Sequence, residues 1–406
     1  MRFPLPADTF PPLSLSLEDE DAIKDLANVF IDEALAQYEA FRGPPHFGSI
    51  DETRWKLVKK RRDITSYSDR HIGDAASTRG EASRKSVGSM SFSTKLHGVL
   101  AVGTVDGSFN DLMYGLHHCT TELLAIKSTY MEDKIVDAKV LAEIRSPSPE
   151  EPIRGLHLKW SVSEFAPMLL RKVVRPRDFV YLEAIGILEN TESGERIGYN
   201  LLHSLQIPGI RELPDYQIVR GNFSICGLFR QKAPGMVEIY MQGFVDSLGD
   251  IHQSVAIPGT AEALMSYRKG VYCGQMKKLN WLVKTKKSVM VDRASGVCSV
   301  CLSTVKKGSS AAHSCQVCMN RVCSSCSVTH RLAFLQSVTR RVVRRSLVFC
   351  ARCVGVAMHA DALEIASEEL RRQNPFENYE LSSSDSGTPA SPSNSVLPDI
   401  QQEFFG

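Results

Sequence analysis

Eight of the eleven cysteines in this chain fall between Val297 and Val354, in four pairs that share the spacing Cys-x-x-Cys. The pairs are Cys298 and Cys301, Cys315 and Cys318, Cys323 and Cys326, and Cys350 and Cys353. One such pair can present two thiolates to a tetrahedral Zn²⁺ at about 2.3 Å, so four pairs complete two four-coordinate sites. The spacing therefore predicts two structural zinc ions.

A disulfide framework is the alternative use of paired cysteines, but it is typical of short secreted chains. This chain has 406 residues, and its first residues lack the basic and then apolar layout of a signal peptide. Only the four residues Met319 to Val322 separate the second pair from the third, which is too short for two independent sites. We therefore expect a cross-brace, in which the first and third pairs share one ion and the second and fourth share the other.

Positive charge is concentrated around these cysteines. Residues 268–353 contain seventeen Lys or Arg and one acid, although the net charge of the whole chain is +2. Eight metal-bound thiolates and two Zn²⁺ together contribute four negative charges, which leaves about +12 on this segment. Anionic membranes and nucleic acids both fit such a charge, and we expect the membrane.

The cysteine spacing, together with Arg321-Val322-Cys323, resembles a FYVE-type zinc finger over about sixty residues. The resemblance implies contact with phosphoinositide-containing membranes. Of the basic, histidine-rich segment that grips phosphatidylinositol 3-phosphate in that family, only His313 is present, so the finger is a degenerate one. The candidate membrane-binding or anion-binding residues are Lys306, Lys307, His313, Arg321, Arg340, Arg341, Arg344 and Arg345. A RING-type finger is the alternative, although it usually has a histidine beside its third ligand.

The elements before the cysteines predict an α+β domain. Ser16 is a candidate N-cap for a helix through about Phe41. Alternating apolar patterns predict strands at 155–164, 178–187, 198–205, 218–228 and 236–245, and a long helix follows at 258–283. Further strands are expected from Trp55 to Ser68 and at 96–105, with a helix at 108–117. Residues 120–131 and 134–144 fit either a helix or a strand.

Trp55-Lys56-Leu57-Val58 followed by Ile64-Thr65-Ser66-Tyr67-Ser68 is similar to the opening of a START domain. Arg175 to Leu182 is similar to that family's Pro-Arg-Asp-Phe-Val-Tyr strand, and Val219-Arg220 and Val245 to Gly249 follow in the family's order. The resemblance covers about 270 residues and implies a helix-grip fold with a lipid between the sheet and the last helix. Candidate pocket residues are Arg177, Asp178, Leu264 and Met276. The alternative for Arg177 and Asp178 is an ion pair at a strand edge, because neighbouring strand residues face opposite sides.

The predicted fold class is α+β: a helix-grip domain with a curved antiparallel sheet around a long C-terminal helix, then a small two-zinc cross-brace finger and a disordered tail. The expected boundaries are an extended lead at 1–15, the START-like domain at 16–290, the finger at 291–356, a helix at 357–373 and the disordered tail at 374–406. Residues 71–90 are expected to form a mobile insertion.

No sequence motif indicates an enzyme. His117 and His118 are neighbours on a predicted helix, point about 100° apart and are expected to pack or to be solvated. We therefore expect a lipid-binding or lipid-transfer protein with an apolar pocket, cytoplasmic and peripheral on endosomal or other anionic membranes. Its expected partners are a lipid ligand, the membrane surface and other proteins, rather than nucleic acid. The alternatives are an interaction adaptor that uses the degenerate finger, and a RING-like ubiquitin ligase.

Overall fold

The computed structural model describes residues 3–6, 8–62, 64–70, 97–164, 174–189, 194–248, 251–285, 296–305, 312–336, 339 and 341–372. The mobile insertion predicted at 71–90 and the disordered tail predicted at 374–406 lie outside these residues. Within the described ranges, no helix is long and apolar enough to cross a membrane.

The described helices and strands follow one another in the order that the sequence predicts for a helix-grip domain and a finger. The helices are α1 (Leu17–Arg42), α2 (Phe109–Leu116), α3 (Thr121–Met131), α4 (Gln253–Met265), α5 (Gly270–Thr285), α6 (Ala351–His359) and α7 (Ala362–Arg371). The strands are β1 (Trp55–Arg61), β2 (Ile64–Asp69), β3 (His97–Asp106), β4 (Ile135–Arg145), β5 (Gly155–Ser163), β6 (Arg177–Leu188), β7 (Ile197–Ser204), β8 (Val219–Arg220), β9 (Asn222–Ala233), β10 (Met236–Asp246), β11 (Ala312–Ser314), β12 (Arg321–Cys323), β13 (Ser327–Leu335) and β14 (Val342–Cys350).

The first ten strands form one sheet with the order β1-β2-β3-β10-β9-β7-β6-β5-β4. Neighbours along this path pair antiparallel, and the short β8 pairs parallel with the start of β6. Successive strand residues point to opposite faces of the sheet, and in the central strands both sets are largely apolar. Helices cover both faces and keep these side chains from water. α1 covers the outer face, which includes Leu158, Leu182 and Leu228. α4 and α5 cover the inner face, which includes Phe229 and Ile239.

The first helix begins where the sequence predicts. Ser16 is its N-cap, and Ser16 and Asp19 form a reciprocal capping box, which satisfies two backbone N–H groups that the helix itself leaves unpaired. Ala27, Ile31 and Tyr38 are buried against the sheet. The Tyr38 hydroxyl donates to Glu238 Oε2 over 2.6 Å, which anchors the end of α1 to β10.

The long helix predicted at 258–283 is two helices that start earlier. α4 begins at Gln253 and contains Pro258, and a 3₁₀ turn at Ser266–Lys269 separates it from α5. α2 crosses α5 at very short range through glycines. A Cβ added to Gly274 would lie 2.0 Å from the Asp111 carbonyl oxygen, and one added to Gly115 would lie 2.0 Å from the Gly270 carbonyl oxygen. Only glycine, which has no Cβ, therefore fits at these two positions.

The finger and the helix-grip domain share one apolar core. The β13–β14 hairpin, α6 and α7 pack on α2, α3 and α5, and a single buried cluster runs from Ile239 through Leu279 to Leu332, Phe349 and Ile365. The helix predicted at 357–373 is two helices, because Cys350 caps α6 and Asp361 caps α7. The boundary predicted at residue 356 falls within α6.

Candidate metal centres and helix-grip interior

The eight paired cysteines form two groups of four. Cys298 and Cys301 lie with Cys323 and Cys326, and Cys315 and Cys318 lie with Cys350 and Cys353. Within each group the sulfur atoms all lie within 4.8 Å of one another. The first pair therefore meets the third and the second meets the fourth, which is the cross-brace expected from the short spacer at 319–322.

The sulfur separations fit a tetrahedral metal site. Cys301 Sγ lies 3.7 Å from Cys323 Sγ, and Cys318 Sγ lies 3.9 Å from Cys350 Sγ. A tetrahedron with metal–sulfur bonds of about 2.3 Å has edges of about 3.8 Å, whereas a disulfide requires about 2.0 Å. Each group can thus hold one metal ion, and four thiolates suit Zn²⁺ among the common ions.

The first two Cys-x-x-Cys pairs have the same backbone turn. Leu302 and Met319, which directly follow these pairs, have positive φ angles of 63° and 59°. Their N–H groups donate to the carbonyls of Cys298 and Cys315 over 2.9 and 2.8 Å. Within each turn, a backbone N–H donates to the sulfur of the first cysteine over 3.5 Å, from Val300 in the first pair and from Val317 in the second. Such N–H groups stabilise thiolates and orient them toward an ion.

The fourth pair begins a helix. Cys350 is the N-cap of α6, and its sulfur accepts from Cys353 N over 3.3 Å. A helix N-terminus carries partial positive charge, which favours thiolates there. In three of the four pairs, backbone N–H groups therefore donate to a cysteine sulfur and would stabilise the thiolate that a metal binds.

The predicted membrane-binding residues lie on two parts of the finger. His313 on β11 and Arg321 on β12 share a two-stranded sheet and are half-buried, and Arg321 Nη1 has no hydrogen-bond partner within the described residues. Arg341, Arg344 and Arg345 lie at or on β14, with Arg344 Nη1 3.8 Å from Glu132 of the helix-grip domain. Lys306, Lys307 and Arg340 lie outside the described residues.

The predicted pocket residues are not brought together. Arg177 closes the end of the sheet, where its guanidinium donates to the carbonyls of Ser247 and Leu248 over 3.2 Å each. Asp178 faces the outer side and accepts from Arg220, at 3.1 and 2.9 Å, and from Trp160 Nε1, at 2.9 Å. Leu264 and Met276 are buried in the inner core. A role of these four residues in a lipid pocket stays a prediction.

A group of buried polar side chains on the inner face was not predicted. Its members are His118, Lys159, Glu183, Asn200 and Tyr267, which we call the interior polar cluster. Lys159 forms an ion pair with Glu183 and donates to the His118 carbonyl over 2.8 Å. Asn200 Nδ2 donates to Glu183 over 3.0 Å, and the Tyr267 hydroxyl donates to Asn200 over 2.7 Å.

The interior polar cluster has one hydrogen-bond donor too few for its acceptors at His118. His118 has the Leu116 carbonyl oxygen 2.5 Å from Nδ1 and Glu183 Oε2 3.2 Å from Nε2, whereas a neutral imidazole donates only one hydrogen bond. Burial lowers the pKa of His118 to about 4. Burial alone would raise the pKa of Glu183, but His118 and Lys159 outweigh it and hold that pKa well below its ordinary value. At neutral pH the cluster therefore retains hydrogen-bonding capacity that no described residue uses.

The sequence contains a pattern from which two members of this cluster could have been predicted. Lys159 lies between Leu158 and Trp160, and Glu183 lies between Leu182 and Ala184. A single polar residue at an alternate position of an apolar strand faces the side opposite its apolar neighbours. His118 was expected to pack or to be solvated, and it is buried beside Glu183.

No family model and no curated protein matches this sequence. Among solved structures, the human StAR-related lipid transfer protein 5 is similar at 12% identity and a TM-score of 0.41, over 63% of this chain and 97% of that one. Human STARD10 is similar at 15% identity and a TM-score of 0.38, over 60% and 83%. The lipid transfer and protein localization domain of human StarD13 is similar at 12% and 0.36, over 54% and 88%. These are likenesses of shape at low sequence identity.

Proposed function

We propose that this protein binds a lipid between its sheet and the α4–α5 helices, and that a finger with two Zn²⁺ brings it to anionic membranes. The interior polar cluster carries the proposal. Taking Lys159 and Glu183 out of water costs several kcal/mol per ion, and an apolar pair of similar volume is often at least as stable. Buried charges with shifted pKa values are more frequent at functional sites than elsewhere.

The cluster suggests which chemical class of lipid fits. Its surroundings on the inner face are apolar, with Ile185, Phe229 and Leu264 in the same core. The unused hydrogen-bonding capacity at His118 and Glu183 suits one hydroxyl or similar small polar group. A mainly apolar ligand with a single polar end would satisfy both environments.

The zinc proposal rests on the two groups of four thiols and their tetrahedral spacing. Structural zinc usually contributes directly to the free energy of folding. The ions would hold β11, β12 and α6 in one unit, so the finger would present its basic side chains in a fixed arrangement. The eight cysteines are the residues that we expect to bind them.

The membrane proposal rests on the exposed basic residues of the finger and on the resemblance to a FYVE finger. Arg341 and Arg344 are exposed, and Leu302 at the first cysteine turn is 74% exposed. One leucine supplies at most about 3 kcal/mol of apolar burial. We therefore propose charge-driven, peripheral binding to anionic membranes, endosomal ones included, with little selectivity for phosphatidylinositol 3-phosphate.

Native mass spectrometry of the intact chain tests the lipid and zinc proposals together. We expect two Zn²⁺ per chain and a co-purifying lipid. The double variant Lys159→Met/Glu183→Gln removes both charges of the cluster without leaving either one unpaired, and it should lose most of the lipid while it keeps both metals. Asp178→Asn/Arg220→Gln removes a matched ion pair on the outer face and should keep the lipid.

Two results would contradict these proposals. If the Lys159/Glu183 variant retained as much lipid as the wild-type chain, the cluster would be a structural feature only. Fewer than two metal ions per folded chain would refute the two-site assignment, whatever the lipid content.

A further inference from the structure

A band of basic side chains crosses the boundary between the helix-grip domain and the finger. Its members lie at three places: the end of β1 with the turn that follows it, the junction between α4 and α5, and the β13–β14 hairpin. We call them the basic band, and they are Lys59, Arg61, Arg62, Arg268, Lys269, Arg331 and Arg344. All are exposed or half-buried.

Two carboxylates connect the three parts of the band. Glu262 on α4 forms ion pairs with Lys59 and with Arg61, whose Nη2 lies 3.1 Å from Glu262 Oε1. Glu132, which follows α3, forms ion pairs with Lys269 and with Arg344, whose Nη1 lies 3.8 Å away. The turn, the junction and the hairpin therefore lie side by side on the surface.

The two carboxylates do not neutralise the band. Seven cations against two acids leave an excess of five positive charges among the described residues. Arg268 has like charges nearby. Burial first, and then the charges of Arg61 and Arg62, lower the pKa of Arg268. Asp63, which follows Arg62 in the sequence, lies outside the described residues.

An aromatic side chain makes an anionic bilayer the fitting partner. Tyr272 is 37% exposed and lies close to Arg331 and Arg344. Tyrosine, which joins an apolar ring to a polar hydroxyl, is a residue type that is enriched in the headgroup region of membranes. Cations beside it are attracted to anionic headgroups.

The middle of the band also connects to the interior. Arg268 and Tyr267 are neighbours on the 3₁₀ turn between α4 and α5. Arg268 belongs to the band, whereas the Tyr267 side chain is buried and its hydroxyl donates to Asn200 of the interior polar cluster. One turn thus separates the basic surface from the site proposed for the polar end of the lipid.

We propose that the basic band is the membrane-docking face of the whole chain, built jointly by the helix-grip domain and the finger, and that it holds the α4–α5 junction against the bilayer. This deepens the proposed membrane function and rests on it. Each cation near an anionic surface contributes about 1 kcal/mol, which corresponds to about a five-fold change in binding. Two lost cations should weaken binding about 25-fold.

Sedimentation of the full chain with vesicles of phosphatidylcholine containing 30% phosphatidylserine tests the proposal. One double variant, Arg61→Gln/Lys269→Gln, lies in the helix-grip domain and leaves each linking carboxylate one partner. The other, Arg331→Gln/Arg344→Gln, lies in the finger. Lys24→Gln/Arg211→Gln removes two cations outside the band that pair with Asp21 and Asp215, and serves as the matched control.

We expect each band variant to lose about 25-fold in vesicle binding and the control to lose much less. If only the finger variant lost binding, the membrane function would stand and the joint surface would be wrong. Loss in the helix-grip variant alone would equally refute the joint surface. No vesicle binding by the wild-type chain would overturn both proposals. Tighter binding of a 20-base-pair DNA duplex than of vesicles at the same salt would assign the band to nucleic acid instead.

Discussion

At the scale of single residues, buried groups with unusual pKa values determine how stability depends on pH. His203 lies under α1, with its ring 4.1 Å from that of Phe30 and its Nδ1 2.9 Å from Ser224 Oγ. Burial lowers its pKa to about 4, and no carboxylate contributes to the shift. Its protonation is therefore a clean measure of the cost of a buried charge.

We predict that His203 makes the protein less stable in mild acid. Well above pH 6.5 the side chain is neutral in both states and has no effect. As the pH falls from about 6.5 toward 4, the unfolded chain takes up a proton that the native state does not, so the free energy of unfolding decreases. Between pH 7 and pH 5 this loss is about 2 kcal/mol.

Urea unfolding of the wild-type chain and of His203→Gln at pH 7 and pH 5 measures this effect. Glutamine keeps a hydrogen-bonding side chain at this position, and the variant should lose about 2 kcal/mol less than the wild type over the same interval. Both proteins contain the same other histidines and cysteines, so the contributions of those residues to the pH dependence cancel in the comparison. Equal losses in both would show that His203 is not buried in its neutral form.

A second residue-scale feature joins the finger to the helix-grip domain. The Tyr130 hydroxyl accepts from Ala333 N over 2.7 Å and donates to Asn280 over 3.2 Å, and Asn280 Nδ2 donates to the Ala333 carbonyl over 3.1 Å. All three residues are buried. Two side chains of the helix-grip domain thus satisfy both backbone groups of one finger residue.

Tyr130→Phe should therefore lower the free energy of unfolding by about 1–3 kcal/mol, because it leaves the buried Ala333 N–H without a partner. Tyr272→Phe is the matched control, since Tyr272 lies next to Tyr130 but is 37% exposed. Chemical denaturation of both variants measures the difference. If the two variants were equally stable, water would reach Ala333 and the finger would be docked less tightly than described.

At the scale of elements, the sequence predicts local features well. The N-cap at Ser16 and the cross-brace of the cysteines were expected because each depends on residues close in sequence or on ligand spacing. The strand or helix choice at 134–144 was open, since its pattern fits both, and it is β4. The break between α4 and α5 was not expected, because the apolar stripe continues across it.

The interior polar cluster and the docking of the finger depend on distant residues. Lys159 bonds to His118, 41 positions away, and Ala333 bonds to Tyr130, 203 positions away. No local pattern specifies such partners. The polar residues at alternate strand positions could be recognised from the sequence, but their shared site could not.

The crossing of α2 and α5 gives an element-scale prediction. Gly274→Ala would place a methyl group against the backbone carbonyl of Asp111, which cannot move without shifting α2. We expect a loss of about 1–3 kcal/mol or more from overpacking. Gly355→Ala is the control, because a Cβ there meets nothing within 4 Å and should raise helix stability by up to about 1 kcal/mol. A tolerated Gly274→Ala, measured by thermal unfolding, would contradict the close crossing.

At the scale of the whole molecule, the finger is part of the structure that covers the inner face. Lys278 on α5 pairs with Asp111 over 2.7 Å and donates to the carbonyls of Met358 and Ala360 over 2.9 and 3.0 Å. These carbonyls lie at the C-terminal end of α6, where a cation is favourable. Contacts at Tyr130, Asn280 and Lys278 therefore tie α3 and α5 to β13 and α6, which lie next to the cysteine groups.

This coupling predicts that removal of the proposed metal ions will affect the proposed lipid site. Hydrogen exchange followed by mass spectrometry, with and without an excess of chelator, should show faster exchange in β13, β14 and α6, because the proposed zinc ions stabilise the finger. α5 should also exchange faster, since one of its faces packs on that unit. α1 lies on the outer face of the sheet and should keep its protection. Added Zn²⁺ should reverse the change. Faster exchange confined to the finger would mean that the two units fold independently, and the grip on a bound lipid would then not depend on metal.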